Sequence, residues 1–271
     1  MDAEAEYNNR ARVPGSAEII ATWMRDAEAF RTTWTRKRLD IRYGDAEPER
    51  LDLFLPEAEG PCPLALFIHG GYWQALSRSA VSHFARGLLL NGVAVAVPSY
   101  GLCPAYSLRT IVEQIRRAAA VLCVTTHQRM LAVGHSAGGH LAAMLRATDW
   151  PDFAPGLRED VVPAILPVSG VFELEPLLPT TIARALDLTA AEARALSPRF
   201  LPPPGGEVHA VVGGAESDEF RRQTRDFAAA WSGTAEEIPG ANHFTVLDPL
   251  TDPAHPLTLR AAAMARRLAS L

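Results

Sequence analysis

Five short, nearly uninterrupted apolar runs set the architecture of this chain: Pro63–Ile68 (PLALFI), Val93–Val97 (VAVAV), Met130–Val133 (MLAV), Ala164–Val168 (AILPV) and Val208–Val212 (VHAVV). A strand with one wet face alternates polar and apolar residues, so runs of this kind describe strands covered on both faces. Helical period fills the gaps. Val81, Phe84, Ala85, Leu88 and Leu89 share one face ahead of an Asn91-Gly92 stop, and Leu108, Ile111, Val112, Ile115, Ala119 and Leu122 share another. Strand, helix, strand at this spacing predicts an α/β fold with a mostly parallel central sheet and helices on both faces. Before the first run, Arg38–Tyr43 and Arg50–Leu53 alternate instead, which predicts two half-buried antiparallel strands joined by the GDAEPE turn.

Residues 1–35 read as one or two helices, with Ile19, Ile20, Trp23 and Met24 on one face, packing on or capping a single domain at 36–271. About forty residues separate the runs at 164–168 and 208–212, too many for a bare loop. The capping box Thr189–Glu192 (TAAE) and the cluster Pro202, Pro203, Pro204 predict short helices, a cap insertion at about 171–205. An insertion there overhangs the carboxyl ends of the strands, where open α/β sheets bind ligands. The net charge of −5 and the absence of a basic stripe argue against nucleic acid as a partner. The acidic start MDAEAEYNNR and the lack of an apolar window of about 18 residues argue against export and against a membrane anchor. Three scattered cysteines, Cys62, Cys103 and Cys123, suit a reducing cytoplasm.

Gly134-His135-Ser136-Ala137-Gly138 is a G-x-S-x-G sequence placed directly between the MLAV strand and the helical stretch HLAAMLRAT. That is the setting of a nucleophile elbow, with Ser136 as candidate nucleophile and a helix N-terminus behind it. His69-Gly70-Gly71-Tyr72-Trp73 follows the PLALFI strand, where α/β-hydrolases keep their oxyanion-hole loop. The backbone N–H groups of Gly71, Tyr72 and Ala137 are the expected oxyanion donors, and His69 the structural hydrogen-bonder of that turn. A serine hydroxyl needs an imidazole to take its proton. Of eight histidines, His243 in GANHF lies on a loop after the last short strand (Ala235–Ile238) and after the serine, as the chain order Ser, acid, His requires. The acid falls after the VHAVV strand, in GGAESDE. Ser217 reads as an N-cap that puts Asp218 in the first helical turn, so Glu216, in the loop before the cap, is preferred and Asp218 is the alternative. Neither HExxH nor HxGTHxDxPxH occurs, nor GxGxxG or a Walker sequence, so no metal and no nucleotide cofactor is implied.

Taken together, HGGYWQ, Ser99–Pro104 (SYGLCP), GHSAGGHLAAM, Ser169–Pro176 (SGVFELEP), Asp218–Gln223 (DEFRRQ), the NHF around His243 and Tyr7-Asn8-Asn9-Arg10 resemble the serine-dependent kynurenine formamidases (arylformamidases) of the α/β-hydrolase superfamily. The resemblance runs over nearly the whole chain. It implies Ser136 as nucleophile, His243 as base, and hydrolysis of an aryl formamide such as N-formylkynurenine, in tryptophan catabolism, to the arylamine and formate through a formyl-enzyme. The family's acid is an aspartate at what is Glu216 here. Tyr72, Trp73 and Phe172 are candidates for the aromatic wall of the substrate pocket, with core packing as their alternative role. A carboxylesterase for small acyl or aryl esters is the second functional reading. A non-catalytic binding protein on the same fold is the third, against which the intact Ser136 and His243 argue.

Overall fold

The computed structural model describes residues 2–269. Eight strands, β1 (Lys37–Arg42), β2 (Arg50–Phe54), β3 (Leu64–Ile68), β4 (Ala94–Pro98), β5 (Met130–His135), β6 (Ala164–Val168), β7 (Glu207–Gly213) and β8 (Thr234–Ile238), form one sheet in the order β1-β2-β4-β3-β5-β6-β7-β8. The β1/β2 and β2/β4 pairs are antiparallel, and β3 through β8 run parallel. This is the α/β-hydrolase sheet.

The continuous apolar runs are explained by where alternate side chains go. Leu64, Leu66 and Ile68 enter one core layer and Ala65 and Phe67 the other; Met130 and Ala132 enter the first and Leu131 and Val133 the second. The first layer is covered by α4 (Leu108–Thr126), α5 (Ala137–Arg146) and α6 (Asp218–Ala230), through residues such as Ile111, Leu141 and Phe227. The second is covered by α3 (Ser16–Thr33) and α7 (Pro256–Ala269), through Trp23, Phe30, Leu257 and Met264. Ahead of α3 lie two short helices, α1 (Ala3–Tyr7) and α2 (Asn9–Arg12), each started by a side-chain cap from Asp2 and Asn8.

Between β6 and β7 the chain forms three 3-10 turns and one short α-helix, Ala190–Ala195, whose Thr189–Glu192 capping box is complete in both directions. His140 on α5 donates from Nε2 to the carbonyl of Leu196 at 2.8 Å, which pins the insertion to the body, while Ser197 Oγ accepts from the Leu174 N–H at 2.9 Å, which closes the insertion on itself. Glu4 accepts from the Thr181 N–H and hydroxyl, both at 2.7 Å, which ties α1 to the insertion.

Candidate active site

Ser136 stands where β5 turns sharply into α5, at φ 55° and ψ −117°, outside the conformations a serine ordinarily adopts. Backbone strain of this kind costs about 1–3 kcal/mol and persists only where its surroundings fix it. Here two features fix it. The Ser136 N–H donates to the carbonyl of Val168 on β6 at 2.8 Å. A Cβ on Gly138 would lie 2.0 Å from the carbonyl oxygen of Ile68, so only glycine lets α5 approach β3 this closely. Among the described residues the Ser136 hydroxyl makes no hydrogen bond, and it lines a cavity of about 340 Å³ together with Gly71, Tyr72, His135 and His243.

His243 is buried, and its Nδ1 lies 2.6 Å from Glu216 Oε2. An ionised carboxylate only accepts, so this bond places the imidazole proton on Nδ1 and leaves the Nε2 lone pair free. The other oxygen of Glu216 accepts from the Gly213 N–H at 2.7 Å and from the Ser169 hydroxyl. The longer side chain of glutamate thus reaches both its own loop, at Gly213, and His243. Asp218 sits elsewhere: as the first residue of α6, after the Ser217 cap, it has a 94% exposed side chain beside Arg221. His135 supports His243 from the opposite direction, donating from Nε2 to its backbone carbonyl at 2.8 Å. Burial first, and the neighbouring His243 second, hold the His135 pKa well below its ordinary value, so this ring stays neutral.

The turn after β3 carries three successive residues at positive φ, Gly71 (103°), Tyr72 (50°) and Trp73 (57°). Among the described residues the N–H groups of Gly71, Tyr72 and Ala137 donate to no acceptor, and Gly71, Tyr72 and Ser136 all border the cavity. His69 has the structural place expected of it, stacked on Tyr100 at 4.2 Å, and burial pushes its pKa down to about 4.

The aromatic wall differs from expectation. Tyr72 borders the cavity, but Trp73 is fully buried and packs edge-on against His140 at 5.0 Å. Phe172 is likewise buried, stacked on Phe227 at 3.9 Å, so both are core residues. Their place is taken by Trp23 of α3 and by Phe244. Sequence reasoning did not assign a role at the site to Ser169, to Trp23 or to Asn8, Asn9 and Arg10, all three of which border the cavity. Among the described residues no group of three or more His, Cys, Asp or Glu side chains is placed to hold a metal ion, and no helix is long and apolar enough to cross a membrane.

Comparison with known proteins agrees with this architecture. The BD-FAE family model matches residues 51–156. The kynurenine formamidase of Danio rerio is 33% identical over 241 residues, covering 83% of this chain and 80% of that protein. The kynurenine formamidase of Salmo salar is 34% identical over 235 residues, 81% and 79% of the two chains. Among solved structures, that of a proposed thioesterase from Silicibacter sp. superposes with a TM-score of 0.89 at 35% identity, over 96% of this chain and 98% of that one. A hyperthermophilic esterase from Pyrobaculum calidifontis shares the fold, with a TM-score of 0.76 at 17% identity over 94% and 93% of the chains.

Proposed function

Because the chain belongs to the kynurenine formamidase family of the α/β-hydrolases, we propose that it is a serine hydrolase that cleaves an aryl formamide of the N-formylkynurenine type to the free arylamine and formate. The observation that carries this reading is the 2.6 Å bond from His243 to Glu216 beside a cavity that Ser136 also lines.

Ser136 Oγ attacks the formyl carbon while His243 Nε2 takes its proton, and Glu216 stabilises the imidazolium that forms. The carbonyl oxygen becomes an oxyanion, received by the N–H groups of Gly71, Tyr72 and Ala137. As the tetrahedral intermediate collapses, His243 returns the proton to the leaving nitrogen and the arylamine departs. Delocalisation of that nitrogen into its ring makes it a better leaving group than an alkyl amine, and the formyl carbon is unhindered. Water, deprotonated by His243, then attacks the formyl ester on Ser136, releasing formate and restoring the hydroxyl.

Rates on N-formylkynurenine and on p-nitrophenyl acetate, measured side by side for the native protein and for Ser136→Ala, test the proposal. The native protein is expected to favour the formamide, and Ser136→Ala to lose at least ~10³-fold in kcat while remaining folded. Preference for the ester would replace the formamidase reading by the carboxylesterase one. Retention of most activity in folded Ser136→Ala would remove the serine mechanism.

A further inference from the structure

The cavity that holds Ser136 and His243 is bordered by a piece of chain the reaction steps do not use, Asn8, Asn9 and Arg10. Asn8 is committed to structure: its side chain caps α2 through the Ala11 N–H and donates to Glu4 at 2.9 Å. The side chains of Asn9 and Arg10 are not. Asn9 is 3% exposed, and among the described residues neither the nitrogen nor the oxygen of its amide has a hydrogen-bond partner. An amide left unpaired in a buried position is costly, and such groups in a native site mark a place where something else completes the bonding. Arg10 is the only Arg, Lys, Asp or Glu side chain among the described residues bordering the cavity, and its guanidinium has no acceptor among them.

This pair is held firmly in relation to the reacting groups. The Ser16 hydroxyl donates to the Arg10 carbonyl at 3.0 Å, and the Tyr72 hydroxyl donates to the Tyr7 carbonyl at 2.6 Å. Tyr7 in turn donates from its hydroxyl to Glu219 at 2.7 Å on α6. The oxyanion turn and the Asn9-Arg10 pair are therefore joined through one side chain, Tyr72. A guanidinium with free donors, next to an amide with free donors and a free acceptor, and with no acidic side chain bordering the same cavity, is suited to a carboxylate.

We propose that Arg10 and Asn9 form a subsite for a carboxylate carried by the substrate, so that the enzyme selects aryl formamides bearing an acidic tail over neutral ones. Arg10 pairs with the carboxylate and Asn9 donates to it from Nδ2; the Asn9 carbonyl remains available to an ammonium on the same tail. The assignment rests on the formamidase reading above for the identity of the reacting end, but not for the recognition of the tail.

Two measurements test it. In turnover, kcat/KM on N-formylkynurenine is divided by kcat/KM on formanilide, which has the same reacting group and no carboxylate. Arg10→Ala should lower this ratio by about 10- to 100-fold, through KM rather than kcat, and Asn9→Ala by a smaller factor. Arg10→Lys should recover part of the loss, since it keeps the charge and loses the fork. In binding, kynurenine and 2-aminoacetophenone are titrated into the native protein and into Arg10→Ala, with the heat of binding in a calorimeter as the signal. Kynurenine should bind more tightly to the native protein, and Arg10→Ala should remove the advantage. A ratio unmoved by Arg10→Ala, KM rising equally for both substrates, or equal affinities of the native protein for the two ligands would overturn the subsite. Carboxylate preference in binding without turnover of N-formylkynurenine would overturn the formamidase reading instead and leave the subsite standing.

Discussion

Glu216 has one more methylene than the aspartate of the resembling family, and its carboxylate meets His243 at 2.6 Å. One carboxylate oxygen meets His243 and the other is held by the Gly213 N–H and the Ser169 hydroxyl. Glu216→Gln should therefore lower kcat by ~10²- to 10⁴-fold, because an amide cannot fix the same tautomer or stabilise the imidazolium. Asp218→Asn, which touches only the exposed start of α6, should leave kcat within about twofold; a large loss there and a small one at Glu216 would reverse the two roles. The placement of Glu216 in the loop and Asp218 in the helix was legible in the sequence because Ser217 is a strong N-cap, and a cap fixes which neighbours enter the helix and which stay in the loop. Ser169 was not legible in the same way. Its contact with Glu216 exists because β6 and β7 are adjacent in the sheet, a fact of pairing that no local pattern carries.

The strands and the elbow were readable at the level of elements, since apolar runs and glycine positions report directly on burial and on close backbone approach. Gly138 illustrates the second signal. Gly138→Ala should force α5 away from the Ile68 carbonyl, costing about 3 kcal/mol. For a chain of this size that is a fall in Tm of roughly 5–10 °C in a thermal melt. A melt unchanged by the substitution would mean that α5 shifts freely against β3. The first two helices were less readable. Residues 1–35 read as one or two helices where there are three, because α1 and α2 are too short to show a period, and their place at the cavity depends on bonds to Thr181, Tyr72 and Glu219 that are remote in sequence. Trp73 and Phe172 failed for a related reason. An aromatic residue beside a catalytic motif has the same appearance whether its ring faces substrate or core, and only the neighbours, His140 and Phe227, decide.

Across the whole molecule, burial holds several histidines neutral. The pKa values of His69, His83 and His140 are pushed down to about 4, and that of His135 lies well below its ordinary value, in each case through desolvation first. Between about pH 6.5 and 4 the unfolded chain binds protons at these positions and the folded protein does not, so this contribution to stability is full above pH 6.5 and is lost as pH falls to about 4. Unfolding free energies from urea titrations at pH 7 and pH 4.5 should accordingly differ by several kcal/mol, the acid value being the lower; equal values would contradict the neutral assignment. At the same scale, the groups proposed for the chemistry all follow the carboxyl ends of strands, Gly71 after β3, Ser136 after β5, Ser169 after β6, Glu216 after β7 and His243 after β8. Asn9, Arg10 and Ile182, which border the same cavity, lie on α2 and on the insertion instead. The proposed reacting groups and these bordering residues thus come from separate parts of the chain, joined at Tyr72. Residues 3–12 are moored to the insertion at Thr181, to the oxyanion turn at Tyr72 and to α6 at Glu219, so a graft of this segment from a relative with other tastes should re-address the enzyme to a new substrate only where those three moorings are kept.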